Sequence, residues 1–350
     1  MTRIQYKELF PSKLSLIIFI SYILLFISQG VLVTYSQGAD NSYKYDTILV
    51  VLITEAVKLV LSCGLYCKDH SVQDLYTDVR KDVSVLKLYF VPALLYCFYN
   101  NLAFLNLSTF DPTTYYLLLQ LRVVITGILF QIIFKKNLSR WQWLSLVLLT
   151  LGCMVKQISF NNDTKTFKGK NTNGFDFSIS AILILVQTVC SCFAGVYNEY
   201  ILKGQGSSVN IFIQNVYMYL DSIICNLAVL IVSGDIVSVF NSSTFLNLLS
   251  FKVIIIIINN AAIGIVTSFF LNCLNSILKT FASALELVFT AIVSYLLFGI
   301  PIYLNTILSI GIVSFAIFLY SQNPVVNLKS NSDIDKELEE KLLENEEEYV

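Results

Sequence analysis

Five charged side chains interrupt runs that are otherwise apolar: Glu55 and Lys58 in one run, then Arg122, Asp221 and Glu286 in three others. An Arg, Lys or Asp at the centre of a spanning helix costs about 2.5–3.5 kcal/mol on insertion scales. A bundle that needed only to fold would not carry such groups. Asn100 and Asn101, Asn215 and Tyr219, and Asn259 and Asn260 add polar atoms to the same kind of run. All are expected to face inward, onto a shared aqueous cavity. Glu55 and Lys58 are three apart and share a helix face. Two readings stay open for them: a private ion pair, or a lysine shared between Glu55 and an anionic ligand. Arg122 offers five donors in a planar fork that fits phosphate bidentately. It has no carboxylate three or four residues away, so its partner is Glu286, Asp221 or a substrate phosphate. Tyr115 and Arg122 are seven apart, two turns on one helical face and about 10 Å along the axis. A ring at one level and a phosphate fork at the other suit a ligand with a stackable base and a phosphate. Tyr96 shares a run with the Asn100–Asn101 pair. Glu199, near the end of its run, reads equally as an interfacial cap, a gate or a binding group.

Other chemistries lack their residues. The single histidine, His70, lies in a polar loop, so neither a His-based metal site nor a His-dependent triad is expected. No G-x-x-x-x-G-K-[ST] loop is present to power work with ATP, and no cysteine–histidine spacing suits a metal. The eight cysteines fall in or beside apolar runs and read as small core residues. Neither an enzyme nor a bound cofactor is expected. The formal net charge of -1 excludes a generic nucleic-acid binder.

The elements that position these groups follow from composition. The 350 residues are 56% hydrophobic and 13% charged, with a mean hydropathy of +0.70. Soluble domains carry about 25% charged residues, so most of this chain must be solvated by lipid. A span needs roughly 20 mostly apolar residues. Ten such runs occur, near 14–35, 46–67, 86–107, 112–134, 139–157, 177–202, 209–232, 250–273, 276–298 and 301–321. Hydrocarbon offers no partner to a bare N–H, so each run should be helical. The expectation is an all-α integral membrane protein. The first run lacks a small-residue cleavage pattern and reads as a retained anchor. Fifteen Lys and Arg fall on the side of the termini and six on the other, which makes both termini cytosolic. Asn162 and Asn241 open sequons in predicted lumenal loops. The expected organisation is a cytosolic segment (1–13), a first five-helix half (14–157), a lumenal loop (158–176), a second half (177–321) and an acidic cytosolic tail (322–350). With an offset of 164, Leu121 meets Leu285, Arg122 meets Glu286, Thr126 meets Thr290 and Phe134 meets Phe298. Five helices is an odd number, so the second half enters the membrane upside down. Inverted repeats with a substrate site at the midplane are the build of secondary transporters.

Several stretches resemble one family. The run Phe110-Asp111-Pro112-Thr113-Thr114-Tyr115-Tyr116-Leu117-Leu118-Leu119-Gln120-Leu121-Arg122 resembles the fourth-helix signature of Golgi nucleotide-sugar transporters of the CMP-sialic acid and UDP-galactose type. Leu138 to Leu144, Phe193 to Lys203 and Thr54-Glu55-Ala56-Val57-Lys58 are similar to further motifs of that family. The resemblance implies a ten-helix drug/metabolite-transporter fold in the Golgi membrane. It implies exchange of a cytosolic UDP-sugar, UDP-galactose first, for lumenal UMP; another nucleotide sugar such as CMP-sialic acid or UDP-N-acetylglucosamine is the alternative cargo. A non-transporting membrane scaffold on the same fold is the rival outside transport. By position, Lys58 and Arg122 match phosphate-binding lysines, Tyr115 matches a base-stacking tyrosine, and Tyr96, Asn101, Asn215 and Tyr219 match cavity residues. Asn272 stands where a further phosphate-contacting lysine is expected, a charge that Lys279 supplies if it reaches the vestibule. Asp221 would stand near the ligand and disfavour a carboxylated sugar. Partners are the nucleotide ligands and the lipid bilayer. A homo-oligomer is compatible with this sequence, but small residues on helix faces are too common to assign a seam.

Overall fold

The computed structural model of the protein describes residues 6–36, 47–109, 115, 118–157, 174–233, 250–299 and 302–325. Among the described residues every regular element is a helix: α1 (Tyr6–Leu9), α2 (Lys13–Ser36), α3 (Thr47–Tyr66), α4 (Val72–Lys81), α5 (Val83–Thr109), α6 (Arg122–Phe134), α7 (Arg140–Gln157), α8 (Gly174–Lys203), α9 (Ile211–Ser233), α10 (Phe251–Cys273), α11 (Ser276–Phe298) and α12 (Leu304–Gln322). Eight of them, α2, α3, α5 and α8 to α12, are long and apolar enough to cross a bilayer. The ten runs of the sequence thus meet eight helices of full span character and two of lesser character. α7 has 18 residues with a cation near each end.

α6 has only 13 residues, and the cause is local. Leu121 N bonds Leu118 O at 3.1 Å and Val123 N bonds Gln120 O at 3.2 Å. These three-residue closures form a turn where the sequence predicts a continuous helix over 112–134, so Tyr115 and Arg122 do not share one regular face.

α4 lies in the stretch that reads as a polar loop. Its capping box explains it: Asp74 N donates to Ser71 Oγ at 3.1 Å, and Ser71 N donates to Asp74 Oδ2 at 2.9 Å. The Ser71 hydroxyl and amide together hold the Asp74 carboxyl below its usual range. Tyr66 and Tyr217 donate from α3 and α9 to Asp78 and its neighbour Val79, tying α4 to the bundle.

The largest apolar cluster joins α2, α6, α7, α10, α11 and α12 around Tyr22, Phe130, Phe270, Phe281 and Tyr320. A second, around Tyr66, Tyr89, Ile201 and Tyr217, joins α3, α5, α8 and α9. The closest pairings are α7 on α12, α5 on α8 and α9, α10 on α2 and α3, α3 on α9, α6 on α8 and α11 on α2. Two described residues have positive φ: Lys135 (φ 52), which ends α6, and Gly299 (φ 66), which ends α11. At one end of the bundle Gln142 donates to Asn323 O and Asn275 to Val325 O. At the other, Lys252 donates to Tyr35 O and Asn305 to Lys156 O. The sequons at Asn162 and Asn241, residues 158–173 of the loop and the tail from 326 lie outside the described residues.

Candidate functional site

Lys58 sits eleven residues into α3, where lipid would penalise it, and three features hold it. Its Nζ lies 2.5 Å from Glu55 Oε1 and 4.7 Å from the centroid of the Tyr219 ring. Its stem runs against Gly264 of α10: a Cβ there would overlap Lys58 Cδ and lie 3.3 Å from the Tyr219 hydroxyl. Glu55, Lys58 and Tyr219 line a cavity of about 280 Å³, near the lower bound for small-molecule sites. The wall is strongly polar for a membrane interior: Tyr96 and Asn100 from α5, Asn198 from α8, Ser222 and Asn226 from α9, Thr267 and Ser268 from α10, and Lys279 from α11. The Thr267 hydroxyl finds no hydrogen-bond partner among the described residues. A buried hydroxyl left open costs free energy, so this wall is set for a ligand or water.

A second cavity of about 100 Å³ is lined by Arg122 and Thr126 of α6, Ser191, Cys192 and Gly195 of α8, and Ser276, Lys279, Thr280 and Ser283 of α11. Lys279 lines both cavities. Among the described residues no carboxylate lies within salt-bridge distance of the Arg122 guanidinium. A cationic series therefore runs Lys58, Lys279, Arg122 through two adjoining spaces. Asn272, the last residue but one of α10, is in neither wall, whereas Lys279 is in both.

Glu199 and Lys203 form a different structure. Both side chains are 1% exposed and paired at 2.8 Å. Glu199 Oε2 also accepts from Ser276 N at 2.7 Å, at the first turn of α11. Lys203 Nζ also donates to Leu274 O, just past the end of α10. The pair staples the end of α8 to the α10–α11 turn and satisfies one open donor and one open acceptor of those helix ends. Of the three readings of Glu199 the cap matches this geometry.

Tyr115, Asn215, Asp221 and Glu286 fall outside the two walls. Tyr115 is 2% exposed, packed with Leu119 and Ile184, and its hydroxyl accepts from Gln187 Nε2 at 2.8 Å. It lines neither cavity. Asn215 and Asp221 are buried in α9 but line neither space. Glu286 lies on α11 beyond Ser283, where its Oε1 accepts from the Thr290 hydroxyl at 3.4 Å. Asn101 is in α5, with its side chain outside the described residues. Asn198, Ser222, Asn226, Gly264 and Thr267 were not singled out from sequence. Asn198 and Asn226 carried the same signal as Asn215, an amide in an apolar run. Gly264 carried none.

A family model described as nucleotide-sugar transporter matches residues 11–321. The UDP-galactose transporter senju of Drosophila melanogaster is 59% identical over 350 residues, covering 93% of this chain and 90% of that protein. CMP-sialic acid transporter 2 of Oryza sativa subsp. japonica is 31% identical over 312 residues, covering 88% and 84%. CMP-sialic acid transporter 4 of Arabidopsis thaliana is 30% identical over 296 residues, covering 84% and 81%. One crystal structure matches in fold with a TM-score of 0.62 at 12% identity, over 89% of this chain and 97% of that one.

Proposed function

Because the chain belongs to the nucleotide-sugar transporter family, we propose that it carries UDP-galactose across the Golgi membrane into the lumen in exchange for UMP. The observation that carries this reading is Lys279 joining two polar cavities, with Lys58 in one wall and Arg122 in the other. Cations in a low-dielectric wall, one of them without a carboxylate beside it, suit a ligand that brings its own negative charge. A diphosphate bridges the two spaces, and the amides of Asn100, Asn198 and Asn226 offer hydrogen bonds to base and sugar. UMP, with one phosphate, competes for the same cations. The 59% identity to a UDP-galactose transporter favours that cargo over CMP-sialic acid.

Transport by alternating access fits a bundle of ten spans in two inverted halves, with α6 and α7 completing the count. Shifting each span by five maps the closest pairings onto one another. α5 on α8 and α9 becomes α10 on α2 and α3, and α6 on α8 becomes α11 on α2, while α7–α12 and α3–α9 pair with their own counterparts. Lys135 and Gly299, the left-handed ends of α6 and α11, are also 164 residues apart. On this reading both termini are cytosolic. The Glu199–Lys203 staple holds the end of α8 to the α10–α11 turn at the cytosolic end. Nothing in this scheme needs a cofactor.

The test is counterflow in proteoliposomes preloaded with UMP. Arg122→Ala abolishes uptake of UDP-galactose while the purified protein still unfolds cooperatively on heating. Arg122→Lys keeps part of the uptake if charge suffices, and little if the bidentate fork is required. Parental uptake by Arg122→Ala removes the phosphate role, and uptake of CMP-sialic acid in place of UDP-galactose replaces the cargo.

A further inference from the structure

Asn226 lines the larger cavity from α9, and its amide is held in one orientation. Its Nδ2 donates to the backbone carbonyl of Ser222 at 2.7 Å, one turn back on the same helix. A carbonyl oxygen only accepts, so the NH2 group faces Ser222 and the side-chain oxygen faces away. From α5, Cys97 Sγ donates to that Oδ1 at 3.9 Å. A thiol is a weak donor and Oδ1 has two lone pairs, so the oxygen keeps an accepting site. Asn226 and Cys97 are both buried in the cavity wall. Position along the bundle says what this acceptor meets. Lys279 lies in the first turn of α11, at the bundle end where α8 is stapled and after which α9 begins. Asn226 lies fifteen residues into α9, away from that end. Tyr219, with the Lys58 ammonium 4.7 Å from its ring centroid, stands seven residues before Asn226. Seven residues are two turns on one face, about 10 Å along the axis. A phosphate held at Lys58 and Lys279 therefore sends its base toward Asn226.

We infer that Asn226 selects the base: its Oδ1 accepts a hydrogen bond from the N3–H of uracil and turns cytosine away. The two pyrimidines differ at that atom. Uracil carries a hydrogen on N3 and donates; neutral cytosine has a bare lone pair there and accepts. Oxygen against lone pair leaves both unpaired in a buried wall, which is the costly case. An amide free to turn could serve either base by exchanging its oxygen and nitrogen. This one presents NH2 in place of oxygen only by giving up the Ser222 bond. Selection thus rests on a helix carbonyl that holds the selecting group, with Cys97 behind it. This deepens the reading of the chain as a carrier of a uridine nucleotide held by Lys58 and Lys279, and rests on it.

The experiment measures binding of UMP, CMP and 3-methyl-UMP to the purified full chain by calorimetry. The third ligand is UMP with the N3 hydrogen replaced by a methyl group. The parent should bind UMP roughly tenfold or more tightly than either of the others, the scale of a buried acceptor left without its donor. Asn226→Ser, whose hydroxyl turns to donate or accept, should bring UMP and CMP close to equal affinity. Asn226→Ala should do the same by weakening UMP alone. A merely structural role would lower Tm and weaken every nucleotide by one factor, leaving the ratio of UMP to CMP at its parental value. That result overturns the inference, as does a parent that binds UMP and 3-methyl-UMP equally; in both cases the transporter reading stands. Should neither variant fold, the parent's preference for UMP over 3-methyl-UMP decides. A parent that prefers CMP overturns the inference together with the choice of cargo. A parent that binds none of the three removes the phosphate site on which both readings stand.

Discussion

Among the described residues two Glu–Lys ion pairs look alike in sequence, Glu55-x-x-Lys58 and Glu199-x-x-x-Lys203. Both close within one helix, at 2.5 and 2.8 Å. Their surroundings differ in kind. The side chains of Glu199 and Lys203 are 1% exposed, and each charge has a second, backbone partner. Those of Glu55 and Lys58 are 12–13% exposed and face a cavity. Beyond Glu55, the ammonium of Lys58 has, among the described residues, only the face of an aromatic ring. The first pair has its bonding capacity absorbed by the fold. The second leaves capacity for something that comes and goes. What separates a staple from a binding site here is the number of fixed partners each charge retains, not the presence of an ion pair.

Removing one partner from each pair tests this directly. Glu199→Gln leaves Lys203 buried and uncompensated, which costs about 3–5 kcal/mol for a pair of this kind. The largest fall in Tm among the variants named here is expected for it, measured in detergent with or without UMP. The double variant Glu199→Gln with Lys203→Met should recover part of that loss, because no orphan charge is left. Lys58→Gln should do the reverse. Its Tm should fall by less than half as much, since Glu55 remains in contact with a polar cavity, while UDP-galactose counterflow drops by more than tenfold. Equal losses of Tm at the two sites would erase the distinction between staple and site.

Much of this was legible without coordinates. The cost of charge in lipid is enough to single out Glu55, Lys58 and Arg122, and the boundaries of α3, α9, α10 and α11 fall within a few residues of the apolar runs. The failures have separate causes. An unbroken helix would put Tyr115 on Arg122's face, and the turn at Gln120–Leu121 has no Pro or Gly to announce it. α4 is a ten-residue polar helix that 20-residue apolar runs do not reveal, although Ser71-x-x-Asp74 is a legible capping box. Lys279 was legible as a charge, but its place between two cavities depends on where α11 starts relative to α6 and α10, which no local pattern encodes. Asp221 carries the same penalty as Lys58 and yet lines neither of the two cavities, so the cost of a buried charge points to importance and not to role.

Gly264 gives the finest test of the comparison, because it touches the site without any polar atom of its own. Its side is occupied by the Lys58 stem, and an added methyl would overlap Cδ. The stem is flexible and lies beside a cavity of about 280 Å³, so it can swing away at small cost to the fold. The ammonium would then lose its position over Tyr219 and its short contact with Glu55. Gly264→Ala should therefore leave Tm within about 1 kcal/mol of the parent in stability terms, helped by the better helix propensity of alanine. The KM for UDP-galactose should rise several-fold through the displaced charge. A large fall in Tm with unchanged KM would mean that the Lys58 stem is packed as rigidly as Lys203, and that the cavity pair is a second staple.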